Sequence, residues 1–252
     1  MTDERTTVPV LSVPIDVIGW DAAVRRIMSW ARQRSSRYVT ICNAHVVVTA
    51  SRSPDYFRVI SSSDMATPDG APVAWMIRKL GFPHQPKISG PDLMPSLLEQ
   101  ARISGIPVFF LGSTPETLAL LVDRVRERHP DIVVGGICSP PFRPLSEEED
   151  VAIVAQINDS GAGLVFVGLG CPKQERWMAE HRGRVNAVML GVGAAFDFYA
   201  GSVNRAPEWM QNHGLEWLHR LLSEPRRLWK RYLTTNTLFV VGAARQLLAG
   251  RR

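Results

Sequence analysis

From Pro107 onward, short apolar runs alternate with amphipathic stretches, and this alternation constrains the fold more than anything else in the chain. "PVFFLGS" is an apolar run closed by Gly-Ser. "TPETLALLVDRVRERHP" follows, with Thr114 placed as N-cap, Pro115 at the first helical position and apolar residues at helical spacing. "DIVVGGI" predicts a strand. "SEEEDVAIVAQINDSG" predicts a helix capped by Ser146, with carboxylates in the first turn where the helix dipole favours them. "LVFVGLG", "KQERWMAEHR" and "AVMLGVG" continue as strand, helix and strand. Apolar strands separated by amphipathic helices have one economical arrangement, an α/β fold: a parallel sheet with helices on both faces.

The first hundred residues are less regular. "YVTICNA" reads as a strand, "HVVVTASRSPDYFRVISSS" as a helix broken at Pro54, and "MATPDGAPVAWMIRKLG" as strand end, turn and helix. In sheets of this class ligands bind beyond the carboxyl ends of the strands. Those ends carry Asn43, Thr67–Gly70, Gly112–Ser113, Gly168–Gln174 and Gly191–Asp197, which are expected to converge on one crevice.

Charge divides the chain unevenly. Residues from Gly201 onward carry nine Arg/Lys and three Asp/Glu, whereas residues 1–200 are nearly neutral, so the net charge of +5 resides in the tail. There "LHRLLSEPRRLWKRYL" mixes basic and large apolar residues at roughly helical spacing, interrupted by Pro225. Such a segment suits an anionic partner: a membrane surface, a nucleic acid or a phosphorylated ligand. A solvated basic face is the plain alternative. "AGSVNRAP" marks a boundary, giving a core over 1–205 and a basic helical appendage over 206–252.

The cysteines Cys42, Cys138 and Cys171 are dispersed and form no CxxC, which suits reduced thiols in the cytoplasm. The first ten residues lack the apolar core of a signal peptide, and no apolar run approaches the ~20 residues of a spanning helix.

Several turns carry candidate chemistry. "VGLGCPKQE" places Gly168, Gly170, Lys173 and Gln174 between a strand and a helix N-terminus, a setting for phosphate or for a tight turn alone. It is neither GxGxxG nor a P-loop. "TPDG" offers Thr67 and Asp69, the latter a general base or an Asx-turn residue. In "KISGPDLMP", Asp92 reads as a helix cap and Lys87 as a contact to phosphate or sugar. Asp197, in "GVGAAFDFYAGSVNRAP", either bonds a ribose or base or orders its turn. The histidines form no HxH or HxxxH pair and no DxD occurs, so neither a metal nor another cofactor is expected.

In order, "TPDG", "KISGPDLMP", "FLGS", "VGLGCPKQE", "GVGAAFDFYAG", "RAPEWMQ" and "GLEWLHRLLSEPRRLWKRYL" resemble the WecG/TagA/CpsF family of bacterial glycosyltransferases from about Val8 to Leu233. The resemblance implies a Rossmann-like core with a C-terminal appendage, and an inverting transfer of sugar from a UDP-sugar to an undecaprenyl-diphosphate-linked saccharide. The setting would be the cytoplasmic face of the cell membrane, where the family builds polysaccharide and teichoic acid. It implies Asp69 as catalytic base and Thr40 and Asn43 as polar pocket residues. Gln174 would line the nucleotide-sugar pocket beside the turns at Gly112, Gly168 and Gly170. Arg220, Arg227 and Lys230 would be the appendage cations that contact the diphosphate. Lys87 and Lys230 stand where the family has arginine, keeping charge but not the bidentate fork. The tail becomes an interfacial element: Leu218, Leu221, Leu222, Leu228, Trp229 and Leu233 touch the bilayer while Arg226 and Arg231 meet lipid head groups. Self-association through the core is a further implication. A non-catalytic membrane-associated scaffold is the alternative. Nucleic acid is not an expected partner, since binding it would leave the ordered turns unexplained.

Overall fold

A computed structural model of the chain describes residues 5–250, and of Asn212, Arg227 and Arg231 the backbone only. The strands are β1 (Thr7–Val10), β2 (Val13–Asp16), β3 (Arg37–Cys42), β4 (Met65–Pro68), β5 (Val108–Gly112), β6 (Val134–Cys138), β7 (Leu164–Gly168) and β8 (Val188–Gly191). The first two form an antiparallel hairpin that the sequence patterning did not announce. The other six form the expected sheet, ordered β4-β3-β8-β7-β5-β6, with parallel registers between β3 and β8, β8 and β7, β7 and β5, and β5 and β6. Helices flank it, so the α/β expectation holds. The chain divides into two compact units: Met1–Gly19, Ile41–Ser89 and Asn204–Arg252 form one, and Trp20–Thr40 and Gly90–Val203 the other.

The second unit is the regular one. It contains α1 (Trp20–Arg32), α5 (Gly90–Ser104), α6 (Pro115–Arg128), α7 (Glu147–Asp159), α8 (Lys173–Glu180) and α9 (Ala195–Ala200). Strand β5 is buried along its whole length, as a central parallel strand covered on both faces must be. Its Phe110 stacks on Phe166 at 5.6 Å and meets Phe196 edge-on at 5.8 Å. Strand β6, at the sheet edge, alternates between exposed and half-buried residues. Thr114 caps α6 by accepting from the Thr117 amide, and Ser146 and Glu149 form a reciprocal capping box on α7. Asp92 lies in the first turn of α5, whose helix begins at Gly90.

The first unit holds the hairpin, α2 (Ala44–Arg52), α3 (Pro54–Ser61), α4 (Gly70–Lys79), α10 (Glu208–Asn212), α11 (Glu216–Ser223) and α12 (Pro225–Ala249). The expected break at Pro54 is real: Ser53 ends α2 and caps α3. Asp16, almost wholly buried, accepts from Arg5 Nε and Nη2 at 2.9 Å each and from the Ala66 amide at 2.6 Å, joining the hairpin to β4. Pro225 does not interrupt a helix but starts α12, its missing N–H costing nothing at that position.

Helix α12 extends 25 residues, well beyond the basic run. It buries Leu228, Thr235, Phe239 and Ala243 on one face. Gln246 closes its far end by accepting from the Leu11 amide and donating to the Pro9 carbonyl. Gly242 lies under Leu11, where a Cβ would stand 2.7 Å from Leu11 Cδ2. This corrects one expectation: Leu228, at 2 % exposure, belongs to the protein interior and cannot touch a bilayer. Its spacing to Thr235 and Phe239 puts it on the inward stripe, which the basic run alone did not reveal. Among the described residues no helix is long and apolar enough to cross a membrane.

Replacing Asp16 with alanine leaves the Ala66 amide buried without its acceptor and removes the partner of Arg5. The expected loss is about 2–3 kcal/mol of unfolding free energy, read from urea denaturation.

Candidate active site

The expected site residues fall in two groups, one in each unit. In the first unit the group gathers around Asp69. Asp69 follows β4 and occupies the N-cap position of α4, yet its side chain makes no capping bond to that helix. Its backbone amide donates to the Cys42 carbonyl at 3.1 Å, which pins the turn to the end of β3. The carboxylate is half-buried. Asn43, by contrast, does cap: its Oδ1 accepts from the amides of His45 and Val46 at 3.0 and 3.2 Å. That cap settles which end of the carboxamide points away, and Nδ2 then stands 3.5 Å from Asp69 Oδ2. Thr67 is fully buried, and its hydroxyl has no hydrogen-bond partner among the described residues. Gly70 takes φ +78°, the left-handed region that glycine enters without strain, so the chain can turn sharply from Asp69 into α4.

The C-terminal segment contributes to the same unit. Gly214 packs against Ala71 so closely that a Cβ there would stand 2.7 Å from the Ala71 Cβ. Glu216, at the start of α11, bridges two cations: Lys87 Nζ at 3.4 Å and Arg205 Nε at 3.3 Å. Neither Arg205 nor Glu216 was singled out in the sequence. "RAPEWMQ" and "GLEWLHR" contained them, but their pairing with Lys87 joins residues 129 positions apart and has no local signature. Arg220 is half-buried and Lys230 exposed, its Nζ 5.5 Å from the Trp229 ring centroid. The Arg227 side chain lies outside the described residues. Leu222, Trp229 and Leu233 are exposed, by 71, 48 and 66 %.

In the second unit the expected glycines stand where two chains meet. A Cβ on Gly112 (φ +114°) would fall 2.6 Å from the backbone carbon of Gly168, and one on Gly168 would fall 2.6 Å from the Phe196 ring. No larger residue fits either position without moving backbone or core. The Ser113 amide donates to the Gly168 carbonyl at 3.2 Å, tying the two turns together. Gln174 accepts from the Gly170 amide and donates to Glu175 and to the Gly191 carbonyl. Asp197 is half-buried in the first turn of α9, and its carbonyl accepts from Ser202 and Val203. Thr40, on β3, is fully buried.

Beside these turns opens a cavity of ≈ 750 Å³, lined among others by Ser113, Gly168, Phe142, Lys173, Arg176 and Trp177. Arg143 also lines it and makes a two-pronged bond to Glu149 at 2.7 Å. That guanidinium, with help from the Ser146 amide, holds the Glu149 carboxyl down at about 2. The sequence reading missed this wall because "SPPFRPL" carries no periodicity to place it. Among the described residues no three His, Cys, Asp or Glu side chains are grouped to hold a metal ion.

An N-acetylglucosaminyldiphosphoundecaprenol N-acetyl-beta-D-mannosaminyltransferase of Bacillus spizizenii is 34 % identical over 203 residues, spanning 80 % of this chain and 77 % of that protein. The family model described as "Glycosyl transferase WecG/TagA/CpsF family" matches residues 8–252. The chain therefore belongs to the WecG/TagA/CpsF family of glycosyltransferases.

Proposed function

We propose that the protein is an inverting glycosyltransferase that moves a sugar from a UDP-sugar to an undecaprenyl-diphosphate-linked saccharide. Its place would be the cytoplasmic face of the membrane, in the synthesis of a surface polysaccharide or teichoic acid. The observation that carries the reading is Asp69, a carboxylate at a helix N-cap that does not cap its helix. A turn aspartate with a purely local role would bond the amides ahead of it. The named relative's acceptor, a diphosphoundecaprenol carrying N-acetylglucosamine, supports the lipid-linked class.

In the reaction, Asp69 removes the proton of the acceptor hydroxyl as that oxygen bonds to the anomeric carbon. The bond from that carbon to the UDP oxygen breaks, and UDP leaves with its electron pair. Asn43 Nδ2 orients the base. The turns at Gly112, Gly168 and Gly170 let the backbone approach the nucleotide. The cavity beside them, with Lys173 and Arg176 on its wall, takes the nucleotide. Lys87, Arg205, Arg220, Arg227 and Lys230 stabilise the departing diphosphate, and such protein cations permit the reaction without a metal. Leu222, Trp229 and Leu233 enter the lipid interface, and Arg226 meets anionic head groups.

Two experiments test this. UDP release from a panel of UDP-sugars, with a lipid-diphosphate saccharide acceptor and EDTA present, is expected to depend on acceptor. Asp69→Asn should lower turnover by about 10²–10⁴-fold while donor binding persists. Equal loss of donor binding and turnover would remove the base role. No release from any donor, with vesicle binding intact, would favour the scaffold. Separately, serine at Leu222, Trp229 and Leu233 together should abolish cosedimentation with anionic vesicles and leave thermal unfolding nearly unchanged, because all three are exposed.

A further inference from the structure

Gln174 has two amide hydrogens, and both are spent inside the protein. One goes to Glu175 Oε1 at 2.8 Å, the other to the Gly191 carbonyl at 3.1 Å. Its Oε1 accepts from the Gly170 amide at 3.2 Å. Gln174 is 5 % exposed and Glu175 fully buried. A carboxamide so engaged has no hydrogen left to offer a sugar or nucleotide.

The backbone partners of this carboxamide lie on a turn and on a separate strand end. Gly170 belongs to the turn after β7, and Gly191 ends the neighbouring parallel strand β8. The glycines conform to the arrangement. A Cβ on Gly191 would come within 3.0 Å of Gln174 Nε2, and one on Gly193 within 3.5 Å of Gln174 Oε1. At Gly191 the carboxamide and Met178 Cε, at 2.8 Å, together occupy the space a side chain would need, whereas at Gly193 the contact is ordinary and the φ of +54° is what favours glycine. An amide can also rotate so that its oxygen and nitrogen exchange places. An ionised Glu175 and the Gly191 carbonyl together oppose that exchange, because neither can donate to the oxygen that would then face it.

We propose that Glu175 is a positioning residue: it locks the orientation of the Gln174 carboxamide, and the pair staples the turn after β7 to the end of β8. Gln174 then acts on the donor through the backbone it holds and not by direct contact. The functional consequence rests on the proposed UDP-sugar reading; the staple itself does not.

The test uses the full-length chain and two readouts, amide hydrogen exchange at Gly170 and calorimetric binding of UDP. Glu175→Met keeps the volume and removes the acceptor. Glu175→Gln keeps an acceptor for Gln174 Nε2. With Glu175→Met, Gly170 exchange should accelerate about tenfold while the amides of β7 and β8 stay protected, and UDP affinity should fall by a similar factor. Glu175→Gln should restore both most of the way, which a purely space-filling role would not produce. Gln174→Met and the double variant should match Glu175→Met without adding to it. If Glu175→Met fails to fold, Gln174→Met alone carries the exchange test. Unchanged Gly170 exchange in Gln174→Met overturns the staple. Lost UDP affinity in Gln174→Met beside wild-type affinity in Glu175→Met makes Gln174 a direct contact and overturns the positioning role. If the wild type itself does not bind UDP, the donor reading fails, while Gly170 exchange still decides the staple.

Discussion

The second unit depends on how closely its strands can end beside one another. Parallel strands β5, β7 and β8 all finish in glycine, and the distances explain why. Gly112 lies against the backbone of Gly168, Gly168 against the Phe196 ring, and Gly191 against Met178 and Gln174. Side chains at these positions would push the turns apart. With hydrogen there instead, backbone amides and carbonyls come near enough to bond across turns, as Ser113 does to Gly168 and Gly193 to Val167. The turns are thus held by their own polar groups, beside a cavity with Lys173 and Arg176 on its wall.

The first unit is organised by buried polar side chains. Asp16 ties the hairpin to β4, and Gln85 bonds both the amide and the carbonyl of Ile18. Asn43 satisfies the start of α2 while presenting its other end to Asp69. Each of these side chains is anchored by a second interaction, which gives Asp69 surroundings of fixed geometry. The contrast between two neighbouring caps is informative: the asparagine caps its helix and the aspartate does not. Helix propensity alone would have treated the two alike.

The C-terminal segment combines two tasks along one helix. Its inward stripe, Leu228, Thr235, Phe239 and Ala243, is protein core, while Trp229 and Leu233 remain exposed on the other side. Glu216 meanwhile holds Lys87 and Arg205 together, so the cations in this unit are arranged by a carboxylate of the tail itself. Unlike a loosely attached basic peptide, this segment is packed into the unit it serves.

Periodicity and caps were enough to recognise the parallel sheet, the helices from Thr114 to Glu180 and the break at Pro54, because those signals are local and repeat every few residues. Motif order was enough for the family, and residue type for Asp69, Asn43 and Gln174 as polar groups at strand ends. The hairpin escaped notice since Pro9 and Pro14 obscure its alternation. Which tail leucine faces inward, which cation meets Glu216 and where the Gln174 hydrogens go were decided only in three dimensions. Those outcomes depend on partners far away in sequence or on a neighbouring strand. A one-dimensional pattern records what a residue can do, and packing determines which of those options remains.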